Sequence, residues 1–104
     1  MQQKAHSFVP ELLRYQFINE LKKLPFVDRI YLYGSRARGD YSKTSDIDLA
    51  IACTNASQDD WRKIMDIIDD ADTMLKIDCV RLEKADEPLK ENIQREGIII
   101  HERK

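Results

Sequence analysis

The stretch from Tyr33 to Ala52 constrains the fold of this chain more than any other part of the sequence. An aromatic and β-branched run predicts a first strand from Val27 to Tyr33, and the run stops abruptly at Gly34, where the backbone can turn. Ser35 is then in position to begin a short helix. Its hydroxyl and the free N–H groups at the start of that helix favour an anion. The sequence therefore predicts a strand followed by a phosphate-holding turn.

A second strand is predicted after this turn, and it carries two carboxylates. Asp46 and Asp48 are two residues apart, so in a strand their side chains leave the same face, with backbones roughly 6–7 Å apart. The apolar residues alternate onto the other face: Ile47, Leu49, Ile51 and Cys53. Two such carboxylates repel each other unless a divalent ion, most naturally Mg²⁺ with its hard oxygen ligands, lies between them.

Arg36 and Arg38 flank the turn, and Gly39 leads the chain into a polar loop. Guanidinium groups match the geometry of phosphate oxygens, so both arginines are candidates for binding phosphate beside Gly34 and Ser35. The alternative is that they are solvated loop residues, which contribute little.

The remaining elements alternate between helix and strand. The first helix is predicted from Glu11 to Leu24, and a second is capped by Ser57 and runs to about Ala71. A third strand follows from Lys76 to Leu82. The next helix is opened by Asp86 or Glu87 with Pro88 and ends at Glu96 with Gly97 as a left-handed cap, and a last strand runs from Gly97 to His101.

Asp78 stands inside the apolar run of the third strand. A carboxylate there is costly unless it is paired, protonated or bound to metal, and the alternative is an edge-strand residue facing water. A second acidic cluster is interpreted as a solvated helix face and exit loop rather than another metal site: Asp66, Asp69, Asp70 and Asp72.

Length and charge limit the classes of function. The 104 residues suffice for one domain with one sheet, and the net charge of −2 provides no basic field for a long nucleic acid. No apolar run predicts a signal or membrane span, so we expect a soluble, cytoplasmic protein. Cys53 and Cys79 are predicted to be reduced and buried, and His6 and His101 to be surface or packing residues.

Three segments together resemble a known family: Gly-Ser-Arg-Ala-Arg-Gly at 34–39, Ser-Asp-Ile-Asp at 45–48 and Lys-Ile-Asp at 76–78. Over nearly its whole length the chain resembles the minimal nucleotidyltransferases (MNT) of the DNA polymerase beta superfamily. The resemblance implies an α+β fold, a two-layer sandwich with a mixed sheet and helices on one face. It also implies two Mg²⁺ ions held by Asp46, Asp48 and Asp78.

The activity implied by the resemblance is transfer of a nucleoside monophosphate from a triphosphate, with release of pyrophosphate. In many MNT pairs the protein is an antitoxin that adenylylates a tyrosine of a HEPN-domain toxin, using ATP. Larger members have a second helical domain, so we expect a partner chain to supply that wall. Two alternatives are a non-catalytic antitoxin that blocks a HEPN partner sterically, and nucleotide transfer to a small molecule. The base, the acceptor and the oligomeric state are left open.

Overall fold

The structure is a computed structural model that describes residues 7–103. His6 lies outside the described residues. The elements in chain order are α1 (Val9–Leu12), α2 (Gln16–Lys23), β1 (Arg29–Tyr33), α3 (Ser35–Arg38), β2 (Ile47–Ala52), α4 (Gln58–Asp69), β3 (Ile77–Arg81), a 3-10 turn (Leu82–Lys84), α5 (Glu87–Glu96) and β4 (Ile98–Glu102). Every predicted strand is present, although β1 begins two residues later than predicted.

The four strands form one mixed sheet in the order β3-β2-β1-β4. β1 pairs antiparallel with both β2 and β4, whereas β2 and β3 run parallel. The antiparallel β1–β2 pair places the end of β1 beside the start of β2, with Tyr33 opposite Asp48. Consequently the predicted turn and the predicted carboxylates meet at one end of the sheet.

The prediction of one helix over residues 11–24 was wrong, because the chain breaks into α1 and α2. Tyr15 is extended (φ −68°, ψ 139°) and interrupts the helix. The Asp72 carboxylate then accepts hydrogen bonds from the N–H groups of Gln16 (3.0 Å) and Phe17 (3.1 Å). A side chain from a distant loop thus caps α2 and satisfies N–H groups that an α-helix leaves without acceptors.

Two hydrophobic clusters lie on opposite faces of the sheet. The larger packs α1, α2 and α4 against one face, and its largest fully buried side chains are Phe8, Leu12, Phe17, Ile18, Leu21, Ile30, Leu32, Ile47, Leu49, Ile51 and Ile64. On the other face, Leu82 and Ile93 pack against Tyr31, Ala50 and Ala52. The α+β fold with a mixed sheet is confirmed. The sequence predicted helices on one face, and α5 is the exception that covers part of the other.

Helix ends follow the local sequence except at Gly97. Ser57 caps α4 through a reciprocal capping box with Asp60, and Asp86 caps α5 by accepting from the N–H of Leu89. Gly97 has φ −72°, so the predicted left-handed cap was wrong. Space explains the glycine instead, because a Cβ there would collide with the carbonyl oxygen of Ile93.

Both cysteines are free; Cys53 is buried and Cys79 is half-buried. Burial raises the pKa of Cys53 to about 11 and that of Cys79 to about 12, so neither thiol ionises near neutral pH. Within residues 7–103 the helices are too short and too polar to cross a bilayer. The single-domain organisation of residues 1–104 and the cytoplasmic location stay predictions.

Candidate active site

The turn after β1 depends on Gly34. Its φ of +77° with ψ −158° is a conformation that residues with a Cβ rarely adopt. The Gly34 carbonyl accepts hydrogen bonds from the N–H groups of Ala37 (3.1 Å) and Arg38 (3.0 Å), which closes the short helix α3. Ser35 is the first residue of this helix, as predicted.

Gly34 also allows two functional segments to approach each other. A Cβ at this position would collide with the carboxylate of Asp48, which lies opposite on β2. The turn that is predicted to hold phosphate therefore lies in direct contact with a predicted metal ligand. The sequence indicated the turn, but this close approach follows from the register of β1 and β2.

The three predicted carboxylates gather at this end of the sheet. Asp48 pairs in register with Asp78 on the parallel neighbour β3, where adjacent strands lie about 4.8 Å apart. Asp46 immediately precedes β2 and, like Asp48, is half-buried, whereas Asp78 is exposed on the edge strand. Asp78 thus occupies the exposed edge position that the sequence left open as an alternative, and it lies beside Asp48.

Electrostatics show that these groups repel one another. The pKa of Asp48 is raised above its ordinary value, first by burial and then by the negative charges of Asp78 and Asp46. Arg38 and Lys76 oppose this shift but do not overcome it. A cation at this position would remove the repulsion.

The donor set fits Mg²⁺ chemically, because it consists of carboxylate oxygens. Within residues 7–103, no hydrogen bond or ion pair engages the side chains of Asp46, Asp48 or Asp78. Their oxygens are therefore available. As placed, however, no group of three or more His, Cys, Asp or Glu side chains in residues 7–103 converges closely enough to hold a metal ion.

Arg36 and Arg38 differ sharply in environment. Arg36 is 4% exposed, and its guanidinium donates to the backbone carbonyls of Ser42, Lys43 and Ser45. Phosphate binding by Arg36 stays a prediction that these contacts disfavour. Arg38 is exposed, with ion pairs to Asp40 (3.3 Å) and Glu96 (3.7 Å) that water can replace.

Tyr33 is a site residue that sequence reasoning missed. Burial and the charges of Asp48 and Asp78 raise its pKa to about 12, so the phenol stays protonated beside the carboxylates. In the sequence its one signal is the position immediately before Gly34, and its pairing with Asp48 emerges only in the structure.

The comparison with protein families decides the relationship. The family model "Polymerase beta, Nucleotidyltransferase" matches residues 16–104, which include the turn and all three carboxylates. The chain belongs to this nucleotidyltransferase family. No curated protein matches this nucleotidyltransferase.

Solved structures share the fold at low sequence identity. A chain of a toxin–antitoxin crystal structure with AMP-PNP is 24% identical, with a TM-score of 0.61, over 84% of this chain and 72% of that one. A chain from the tri-AMPylated Shewanella oneidensis HEPN toxin in complex with MNT antitoxin is 18% identical (TM-score 0.58, 91% of this chain, 70% of that one). A candidate nucleotidyltransferase from Sulfolobus solfataricus is 21% identical (TM-score 0.58, 99% and 94%).

Proposed function

We propose that this nucleotidyltransferase is an MNT antitoxin that transfers AMP from ATP to a tyrosine of a HEPN-domain toxin in the presence of Mg²⁺. The observation that carries the proposal is the contact between the Gly34 turn and Asp48, with Asp78 in register beside it. This contact brings the turn that is predicted to hold phosphate next to carboxylates whose oxygens are available. Support for the substrate and partner comes from the AMP-PNP complex and the tri-AMPylated HEPN toxin among the similar structures.

Every predicted site residue except Arg36 has a part in this proposal. Asp46, Asp48 and Asp78 would hold two Mg²⁺ ions, which offset the charge of the triphosphate and make the acceptor hydroxyl a better nucleophile. Gly34 and Ser35 present backbone N–H groups and a hydroxyl to the β- and γ-phosphates. Arg38, whose ion pairs are exposed to water, offsets the charge that develops on pyrophosphate.

The reaction is a single in-line displacement. The acceptor oxygen forms a bond to the α-phosphorus of ATP, while the bond from that phosphorus to the bridging oxygen of the β-phosphate breaks. Pyrophosphate leaves, and the proton of the acceptor hydroxyl passes to solvent. This chain contributes orientation and charge compensation, and the protein partner contributes the acceptor.

A steric antitoxin without catalysis is the second candidate. The observation that favours it is that the three carboxylates, as placed, do not converge on a common point. The environment of Asp48 argues against this candidate. A carboxylate without a function is usually hydrogen-bonded or fully solvated, whereas the half-buried Asp48 side chain has no hydrogen bond within the described residues.

Mass spectrometry of the partner separates the two candidates. The chain is purified with its HEPN protein and incubated with Mg²⁺ and labelled ATP, and the double variant Asp46→Asn/Asp48→Asn serves as control. We expect the partner to gain AMP only with the wild-type chain. A tight complex whose partner stays unmodified with all four nucleoside triphosphates would establish the steric antitoxin. Parallel reactions with the other three triphosphates determine the base preference.

A further inference from the structure

The guanidinium of Arg36 contacts two aromatic rings and three backbone carbonyls. The guanidinium carbon lies 4.2 Å from the ring centroid of Phe8 and 4.6 Å from that of Tyr41, two rings that pack edge to face. Nε donates to the carbonyl of Ser45 at 3.1 Å. One terminal nitrogen, Nη2, donates to the carbonyls of Ser42 and Lys43, each at 3.2 Å. The group thus contacts two aromatic rings and is hydrogen-bonded along its edge.

These contacts join two parts of the candidate site. Arg36 belongs to α3, the helix of the phosphate turn, and its three acceptors belong to the segment that enters β2, here called the entry loop (residues 40–46). The loop also bonds within itself, because the N–H of Ser42 donates to the Ser45 hydroxyl at 2.9 Å. The acceptor carbonyl of Ser45 belongs to the peptide unit that continues directly into Asp46. The orientation of that peptide sets the direction in which the Asp46 side chain leaves the backbone.

We propose that Arg36 is a positioning residue, which fixes the entry loop so that Asp46 is held beside Asp48, and that it does not bind phosphate itself. This inference rests on the proposed function, since it assigns a purpose to Asp46. Arg36 borders a cavity of about 400 Å³ that Gly39, Tyr41 and Lys43 also line. With 4% of the residue exposed, however, a ligand in that cavity would meet little of the guanidinium.

The chain offers a matched control in Arg81. Its side chain is 14% exposed, and its guanidinium donates to the carbonyls of Cys53 (3.0 Å) and Ala56 (2.9 Å). These acceptors lie in the exit loop (residues 53–57), which follows β2 at the opposite end of the strand. Arg81→Lys therefore disturbs the same kind of contact at the same strand, but away from the carboxylates.

The test compares Arg36→Lys with Arg81→Lys. Lysine keeps the charge but loses the planar, multidentate geometry, so the entry loop loses its fixed position. The probe is Mn²⁺ alone, with bound and free ion counted by electron paramagnetic resonance. Loss of a group that orients a metal ligand typically weakens metal binding about 10- to 100-fold, so we expect about tenfold for Arg36→Lys and less than about twofold for Arg81→Lys.

Nucleotide binding without metal distinguishes positioning from direct contact. In EDTA, Arg36→Lys should bind ATP as the wild type does, because no phosphate contact is lost. A fall of tenfold or more in EDTA, with unchanged Mn²⁺ affinity, would overturn the proposal in favour of a phosphate ligand. Hydrogen exchange over residues 42–46 should accelerate in Arg36→Lys and stay unchanged in Arg81→Lys.

Two further arms keep the outcome decisive. If Arg36→Lys does not fold, the half-buried Tyr41 is replaced by leucine, which removes one of the two aromatic contacts of the guanidinium and should give the same changes at smaller size. If the wild-type chain binds neither Mn²⁺ nor triphosphate, the proposed function fails, and hydrogen exchange over residues 42–46 still decides whether Arg36 orders the entry loop. Unchanged exchange in both variants overturns the positioning role.

Discussion

The two ends of β2 use the same structural device for different purposes. At each end an arginine donates to the backbone carbonyls of a loop: Arg36 to the entry loop and Arg81 to the exit loop. At the exit, the Glu83 carboxylate accepts hydrogen bonds from the N–H of Cys53 and the hydroxyl of Thr54. At the entry, no hydrogen bond or ion pair within the described range reaches the side chains of Asp46, Asp48 or Asp78, although the Asp40 carboxylate pairs with Arg38. The two ends therefore differ in whether the carboxylates beside the strand are already hydrogen-bonded.

The largest difference between the two ends should be seen with Asp48→Asn and Glu83→Gln. Asp48→Asn removes a charged ligand, so AMP transfer should fall at least about 100-fold, and Mg²⁺-dependent ATP binding should fall with it. Glu83→Gln should lower the melting temperature but leave the transfer rate per folded molecule unchanged. Transfer assays on both variants with quantified folded protein check this. Equal rate losses in the two variants would abolish the distinction.

Asp78→Asn should separate catalysis from binding. We expect transfer to fall at least about 100-fold, because Asp78 is assigned to the ion that activates the acceptor, while ATP affinity changes less than about tenfold. Calorimetric titration with a non-hydrolysable triphosphate, beside the transfer assay, measures both quantities. Near-full activity would show that Asp78 is only a solvated residue of an edge strand.

Gly34→Ala should lower the free energy of unfolding more than Gly39→Ala does. Both glycines have positive φ, +77° and +96°, so each alanine variant carries a backbone penalty of about 1–3 kcal/mol. Only at Gly34 does the new Cβ collide with Asp48, because nothing lies within 4 Å of the corresponding position at Gly39. Urea unfolding measures the difference. A Gly39 variant that is as unstable as the Gly34 variant would mean that the contact with Asp48 is readily relieved.

The smallest effect concerns Asp72, a carboxylate whose oxygens are satisfied like those of Glu83. Hydrogen bonds from the N–H groups of Gln16 and Phe17 lower the pKa of Asp72 below its ordinary value. The charged form is therefore favoured in the folded state. Its contribution to stability is complete above the unfolded-state pKa of about 3.9 and is lost as the pH falls through the lower folded-state pKa.

Asp72→Ala and Asp72→Asn isolate this contribution. Asp72→Ala should unfold at a lower urea concentration than the wild type at pH 7, and the difference should shrink in acid. Asp72→Asn keeps one acceptor oxygen without the charge, so it should lie between the two at pH 7. A wild-type advantage over alanine that does not shrink as the pH falls below the unfolded-state pKa would argue against a charged cap.

Local patterns in the sequence were sufficient to predict the turn at Gly34 and the cap of α4. The Gly34 turn needs only a residue without a Cβ, and the Ser57 capping box lies within four residues of chain. The break between α1 and α2 was not predictable in this way, because Asp72, the residue that caps α2, lies 55 positions from Phe17 in the sequence.

The environment of Arg36 was equally inaccessible, since its burial depends on the ring of Phe8 and on how the entry loop folds back. In the sequence, Arg36 and Arg38 look equivalent. They differ because side chains two positions apart on a helix point in different directions, and only that of Arg36 meets the core. The side of the sheet covered by α5 likewise depends on contacts between Ile93 and Tyr31 that no local period reveals.

The alternation of side chains along β2 links the direction of Asp48 to the packing of the core. Ile47, Leu49 and Ile51 are fully buried, and Asp48 lies between the first two on the opposite face. An insertion of one residue within β2 would exchange the two faces, turning the large apolar side chains toward the α5 side of the sheet and the carboxylate toward the larger cluster. A chain that retains this packed interior therefore also retains the phase of Asp48.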